Sequence, residues 1–327
     1  MRNDGNDHGL VAALVLDGQG GGREVPRSAI GDAIGEGELL WLHFDLREEA
    51  TAKWVEEESG LPPLAIQALL MEETRPRAAH YGEGLMVLLR AVNLNPGQEP
   101  EDMISLRCWF APGRVITLRH QRLKALADLR ERIDEGWGPK HCGEMLWQIV
   151  EEVVDHISPV VDEIEERVCE LEEEGLEYAP RELRLKLSGL RREAIQLRRF
   201  TGPQRDLLNR LSMDTRHWLK DGDRGHIRES ADRLTRLIED LDSVRERSSV
   251  MHEELTARIQ EQQERRLYAL SLVSTTFLPL TFVTGLLGMN VGGIPFAEHK
   301  QGMWVVLAML VVLALVQFLI FRWKRYL

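Results

Sequence analysis

The chain has 327 residues, with 53 Asp and Glu against 41 Lys and Arg and a formal net charge of −12. That acidic balance weighs against nucleic-acid binding. Three cysteines, Cys108, Cys142 and Cys169, show no CxxC spacing, which weighs against a zinc module or a disulfide framework.

The opening MRNDGNDHGL has no apolar stretch, so no cleaved signal peptide is expected. Residues 10–140 mix short apolar runs with helical patterns. Residues 11–16, 39–46, 85–94 and 104–118 read as strands, the last folded into a hairpin at Ala111-Pro112-Gly113-Arg114. Residues 54–59, 62–71 and 123–135 read as helices. The class expected for residues 1–140 is an α/β domain whose strand order the sequence leaves open.

From Glu144 the pattern is helical. Leu146, Ile149, Val153, Ile157, Val160, Ile164, Val168 and Leu171 recur every three or four residues, with Pro159 expected to kink or break the run. Residues 151–174 hold 11 acids against Arg167 alone, whereas residues 181–210 hold nine bases against three acids. With a turn at residues 177–180, an antiparallel acidic–basic helix pair is expected; a solvated face is the plainer reading of each charge run. Between His226 and Leu278 lie 53 residues without Gly or Pro. At about 1.5 Å per residue this is roughly 80 Å of helix. Leu234, Leu237, Leu241, Val244, Ser248, Met251 and Leu255 mark a coiled-coil-like seam along it. Residues 141–266 are therefore expected to form a helical bundle and stalk.

Two uncharged runs follow, 22 residues from Leu267 to Gly288 and 19 from Met303 to Phe321. Each meets the requirement of about 20 apolar residues for a bilayer-spanning helix, so residues 267–327 read as a two-helix membrane domain. Arg258, Arg265 and Arg266 precede the first span, Arg322, Lys324 and Arg325 follow the second, and Lys300 stands alone between them. The excess of flanking bases places both termini in the cytoplasm and the short loop outside. Trp304, Trp323 and Tyr326 sit as interfacial anchors.

The spans differ in kind. The second has one polar side chain, Gln317, and reads as lipid-facing. The first places Ser274, Leu278, Thr281, Gly285 and Gly288 on one face leading to Asn290. That stripe suits either close helix packing or the wall of a pore, and two spans cannot enclose a pore without further copies. Neither span contains Asp, Glu, His or Cys. The residues therefore point to a hydrated divalent cation rather than a stripped ion in a fixed cage, since zinc held directly prefers His and Cys. Nothing in the chain supports an enzyme: there is no P-loop, and His252-Glu253-Glu254-Leu255 lacks the second His of a zincin. A membrane-tethered coiled-coil scaffold without transport is the alternative from another class.

A cytoplasmic α/β domain, an acidic helix, a long stalk helix and two spans around Gly288-Met289-Asn290 resemble the CorA superfamily of metal-ion transporters, over essentially the whole chain. Residues 288–295, GMNVGGIP, look most like its ZntB zinc-transporter branch; the magnesium branch more usually continues Met-Pro-Glu-Leu after a short spacer. Residues 73–77, ETRPR, point loosely the same way.

The resemblance implies an α+β membrane protein with a CorA-like funnel, a homopentamer in the bacterial inner membrane. Five first spans would line the pore, with Gly288, Met289 and Asn290 as selectivity mouth. Asn290 would touch the metal through its hydrating water. Gly285, Thr281, Leu278 and Ser274 line the passage, and Leu270 and Leu267 narrow its inner end. Glu298 and His299 in the outer loop, and Glu253 and Glu254 on the stalk, are further candidates for first contact and for regulation. The partners implied are lipid, further copies of the chain and divalent ions, with no cofactor and no nucleic acid. Zinc is the implied cargo, with magnesium or cobalt as alternative, and coupling to protons is open.

Overall fold

The computed structural model describes residues 9–30, 38–72, 75–174, 179–289, 292 and 300–323. Two compact units divide the chain, Met1–His252 and Glu253–Leu327.

The first unit is built on a mixed sheet of seven strands: β1 (Leu10–Leu16), β2 (Gly22–Glu24), β3 (Leu39–Asp45), β4 (Arg77–Tyr81), β5 (Gly84–Ala91), β6 (Ile104–Ala111) and β7 (Arg114–Arg119). Their order is β2-β1-β3-β7-β6-β5-β4. β4 to β7 form an antiparallel meander, and β3 joins β7 in parallel with Leu42 opposite Ile116. The expected hairpin is present: Ala111 pairs with Arg114, and the turn needs Gly113 at φ +77°, which side chains disfavour. β2 and β4 are not legible as apolar runs. Both are short edge strands whose formation depends on the neighbours they pair with.

Every residue of β3 is buried, so both faces of the sheet are covered. On one face, α1 (Glu49–Glu57) and α2 (Pro63–Leu70) bring Trp54, Val55, Ala65 and Leu69 onto Leu40, Leu42, Phe44, Leu88 and Ile116. Phe44 stacks on Trp54 with ring centroids 4.3 Å apart. Arg107 of β6 crosses this layer almost wholly buried. It donates from Nη1 to the Leu69 carbonyl at 2.5 Å, in the last turn of α2, where a helix's negative end favours a cation. Burial, then Arg90, lowers its pKa to about 10. α4 (Cys142–Glu174) and α5 (Pro180–Leu211) pack on β4 to β6, and α3 (Lys124–Asp134) packs on α4. The Gln204 Oε1 of α5 accepts from the Arg90 backbone N–H at 2.7 Å, fixing that helix to β5.

Pro159 does not break α4, which runs unbroken for 33 residues. Proline removes the bond to the carbonyl four residues back. Pro159 and Asp155 are both exposed, so that carbonyl lies on the wet side of the helix. α4 and α5 pack on each other as expected, but their charge runs do not pair. The one ion pair between them among the described residues joins a minority charge of each run: Arg167 of the acidic helix grips Glu193 of the basic one, at 2.7 and 3.0 Å. The acids of α4 turn instead to α6 (Asp221–Leu287). Asp155 pairs with Arg233 at 2.5 Å, and Glu172 accepts from Arg247 Nε at 2.8 Å.

α6 is one helix of 67 residues, containing Pro279, and the boundary between the two units falls within it. The predicted seam is real over its first part: Leu234, Leu237, Leu241, Val244, Ser248 and Leu255 are buried, and Met251 is half-buried. The second unit contains the rest of α6 and α7 (Gly302–Trp323).

Candidate ion pathway

Among the described residues, α6 and α7 contain stretches long and apolar enough to cross a membrane, and neither stretch is buried. The large apolar side chains are bare: Leu278, Phe282, Met303 and Trp323 are all strongly exposed. Exposed apolar surface on this scale marks a contact with lipid or protein.

α6 is not uniform around its circumference. Leu272, Thr276, Pro279, Leu280, Val283 and Leu287 are half-covered.

 On α7 the half-covered face runs through Val306, Leu310, Leu313, Ala314, Gln317 and Phe321. These two faces meet: Gln317 Nε2 lies 3.5 Å from the Thr275 carbonyl. Gln317 therefore turns toward α6, which corrects the reading of α7 as lipid-facing throughout. A bare carboxamide in hydrocarbon is costly, and a neighbouring helix carbonyl relieves part of that cost.

The predicted stripe lies on the other side of α6. Ser274, Leu278, Thr281, Gly285 and Gly288 are all exposed, as are Leu267 and Leu270. At 3.6 residues per turn, this stripe points roughly 150° away from the face that meets α7. A hollow of about 780 Å³ runs along it, lined by Ser274, Phe277, Leu278, Pro279, Thr281 and Phe282. Packing between the two spans of one chain therefore does not account for the stripe. A Cβ at Gly285 would meet nothing within 4 Å.

The hydroxyls are set in a particular way. Ser274 donates to the Leu270 carbonyl at 2.9 Å, and Thr284 to those of Leu280 and Thr281 at 3.0 and 3.1 Å. Back-bonding of this kind uses the hydroxyl hydrogen and leaves oxygen lone pairs as acceptors. Water around a cation presents hydrogens outward, so such oxygens suit a hydrated cation. The last helical bond runs from the Gly288 N–H to the Thr284 carbonyl at 2.9 Å, and α6 ends at Leu287. The carbonyls beyond it form the negative end of the helix.

Gly288 and Met289 are described and exposed, whereas Asn290, Glu298 and His299 lie outside the described residues. Glu253 and Glu254 are exposed on α6, with Glu254 3.9 Å from Arg258 one turn on.

A folded unit followed by two bare apolar helices, one bearing a polar stripe with no titratable group, is the architecture of a candidate two-span membrane protein. The family described as "CorA-like Mg2+ transporter protein" matches residues 36–325. The chain belongs to this family, and with it to the divalent-cation transporters of the CorA and ZntB type. It is 41% identical to the divalent cation transporter CmaX of Pseudomonas aeruginosa, over 99% of this chain and 98% of that one. It is 36% identical to the zinc transport protein ZntB of Pectobacterium atrosepticum, over 93% and 92%. A solved structure of full-length CmaX superposes with a TM-score of 0.86 at 39% identity, covering 99% of this chain and all of that one.

Proposed function

We propose that the chain carries a hydrated divalent cation, zinc foremost, through a homopentameric pore in the bacterial inner membrane. The reading places both termini in the cytoplasm and three parts along the chain: residues 1–140, a bundle and stalk over 141–266, and the membrane domain over 267–327. The observation that carries it is the stripe from Ser274 to Gly288, left open on the side of α6 away from α7. Five copies turning that stripe inward give a passage lined by hydroxyl oxygens. Five helix ends then converge on Gly288, Met289 and Asn290, and their dipoles favour a cation there. Asn290 accepts from the ion's water shell, so the large cost of dehydration is avoided. Leu267 and Leu270 form apolar rings at the inner end that close by dewetting.

Zinc as cargo rests on the likeness to ZntB, and the 41% identity to a protein named only for divalent cations keeps magnesium and cobalt as the second reading. Glu298 and His299 make first contact in the outer loop, and Glu253 and Glu254 sense internal metal. Proton coupling draws on groups outside the spans, which hold no Asp, Glu, His, Cys, Lys or Arg. The test is Asn290→Ala in proteoliposomes. Flux is expected to fall at least tenfold with the oligomer intact on gel filtration; normal flux removes Asn290 from the pathway. Replacing both Glu253 and Glu254 by Gln is expected to alter how flux responds to internal metal, and an unchanged response removes them from regulation.

A further inference from the structure

Three side chains of the first unit converge between α3 and α4. Glu152 and His156 stand one turn apart on α4, and Asp128 faces them from α3. One donor atom from each lies within 4.8 Å of the other two. Glu152 is buried, and Asp128 and His156 are half-buried. His156 Nε2 is 2.9 Å from Asp128 Oδ2. Two cations hold the carboxylates: Lys124 donates to Asp128 at 3.0 and 3.2 Å, and Arg132 Nη1 donates to Glu152 Oε1 at 2.5 Å. A cleft of about 330 Å³, lined in part by Asn95, Arg122, Lys124 and Glu131, opens beside Asp128.

We propose that Asp128, Glu152 and His156 form a binding site for a divalent transition metal of the zinc or cobalt class, joining α3 to α4. One imidazole nitrogen and two carboxylate oxygens are the ligand types such metals take, and three protein ligands leave a position for water. A tetrahedral zinc with bonds of about 2.0–2.2 Å needs donors roughly 3.4 Å apart. Bringing the present spacing to that value calls on rotation of the three side chains. The 4.8 Å limit must close somewhat, and the 2.9 Å contact of His156 with Asp128 must open as the metal takes the place of the proton between them. Lys124 and Arg132 compete with the metal for the same oxygens. Their side chains are 57% and 38% exposed, so both can swing into water as the ion enters. The site is distinct from the stripe on α6 and does not depend on which ion the spans carry.

The test uses the full-length chain in detergent, with ZnCl2 or CoCl2 as probe. Zinc retained after gel filtration is expected to drop by one equivalent per chain in His156→Gln and in Asp128→Asn, and the visible absorption of the cobalt form is expected to change in both. Lys124→Gln, a change at the surface, keeps that equivalent and binds it at several-fold lower free metal, because a competitor is gone. Unaltered zinc content and cobalt spectrum in His156→Gln and Asp128→Asn overturn the site. So does a Lys124→Gln protein whose metal affinity equals that of the parent, which leaves the cluster as an ion-pair network only.

Discussion

The two units of the chain meet their needs in opposite ways. In residues 9–252, the core is covered by the unit's own elements: Leu14, Phe110, Leu146 and Leu234 are buried completely. In α7 and the last third of α6, side chains just as apolar stand open, and the contact between the helices covers one face of each. Composition alone does not separate these cases, since both are rich in Leu and Val. What separates them is partners within the chain. The first unit buries its core within one copy; in the reading proposed above, the second relies on lipid and further copies, whose uncovered stripes would meet the ion.

Gly285→Leu bears hardest on this contrast. A side chain there meets nothing in the single chain, so the protomer tolerates it, whereas in a narrow pore it blocks the passage. Flux in proteoliposomes is expected to fall at least tenfold with the thermal midpoint unchanged; full flux would show that the stripe does not line the path. Phe44→Ala inverts the pattern. It removes a fully buried ring stacked on Trp54 and is expected to destabilise the first unit by about 3–5 kcal/mol, read by thermal denaturation.

A third change concerns pH. His43 is buried beside Thr117, and burial, then Arg119, lowers its pKa from 6.5 to about 3. The unfolded chain therefore takes up a proton that the folded one refuses. The stability contributed by neutral His43 is full above about pH 6.5 and is lost as the pH falls toward 3, by a few kcal/mol in all. His43→Asn is expected to flatten the fall in thermal midpoint between pH 7 and pH 5; an unchanged slope assigns the acid sensitivity elsewhere. The smallest effect is expected for Arg167→Ala. Its pair with Glu193 is bidentate but partly exposed, with side chains 42% and 18% accessible, so water screens it and the loss should be about 0.5–1 kcal/mol. A larger loss would show that this contact holds α4 to α5 beyond its charge.

Long periodic segments were legible in the sequence. α4, the seam of α6 and both spans follow from apolar spacing, and the first-span stripe follows from the 3.6-residue repeat. β3, β5 and the β6–β7 hairpin are readable because strands buried on both faces appear as short continuous apolar runs. Where partners lie far apart in sequence, the signal fails. β3 pairs with β7 some seventy residues on, and no local pattern encodes that parallel match. The charge runs of α4 and α5 misled because net charge does not choose neighbours: Arg233 and Arg247 of α6 took acids assigned to α5. Asp128 is brought to Glu152 and His156 only by the packing of α3 on α4, so the spacing of the last two was the one trace of that cluster.

The most direct measurement is metal flux into liposomes bearing the purified full-length chain, with zinc and magnesium compared at matched gradients and a pH gradient present or absent. Zinc entry faster than magnesium, rising with the proton gradient, is the predicted result. Absence of flux for either metal would contradict transport along α6 and leave a membrane-tethered scaffold.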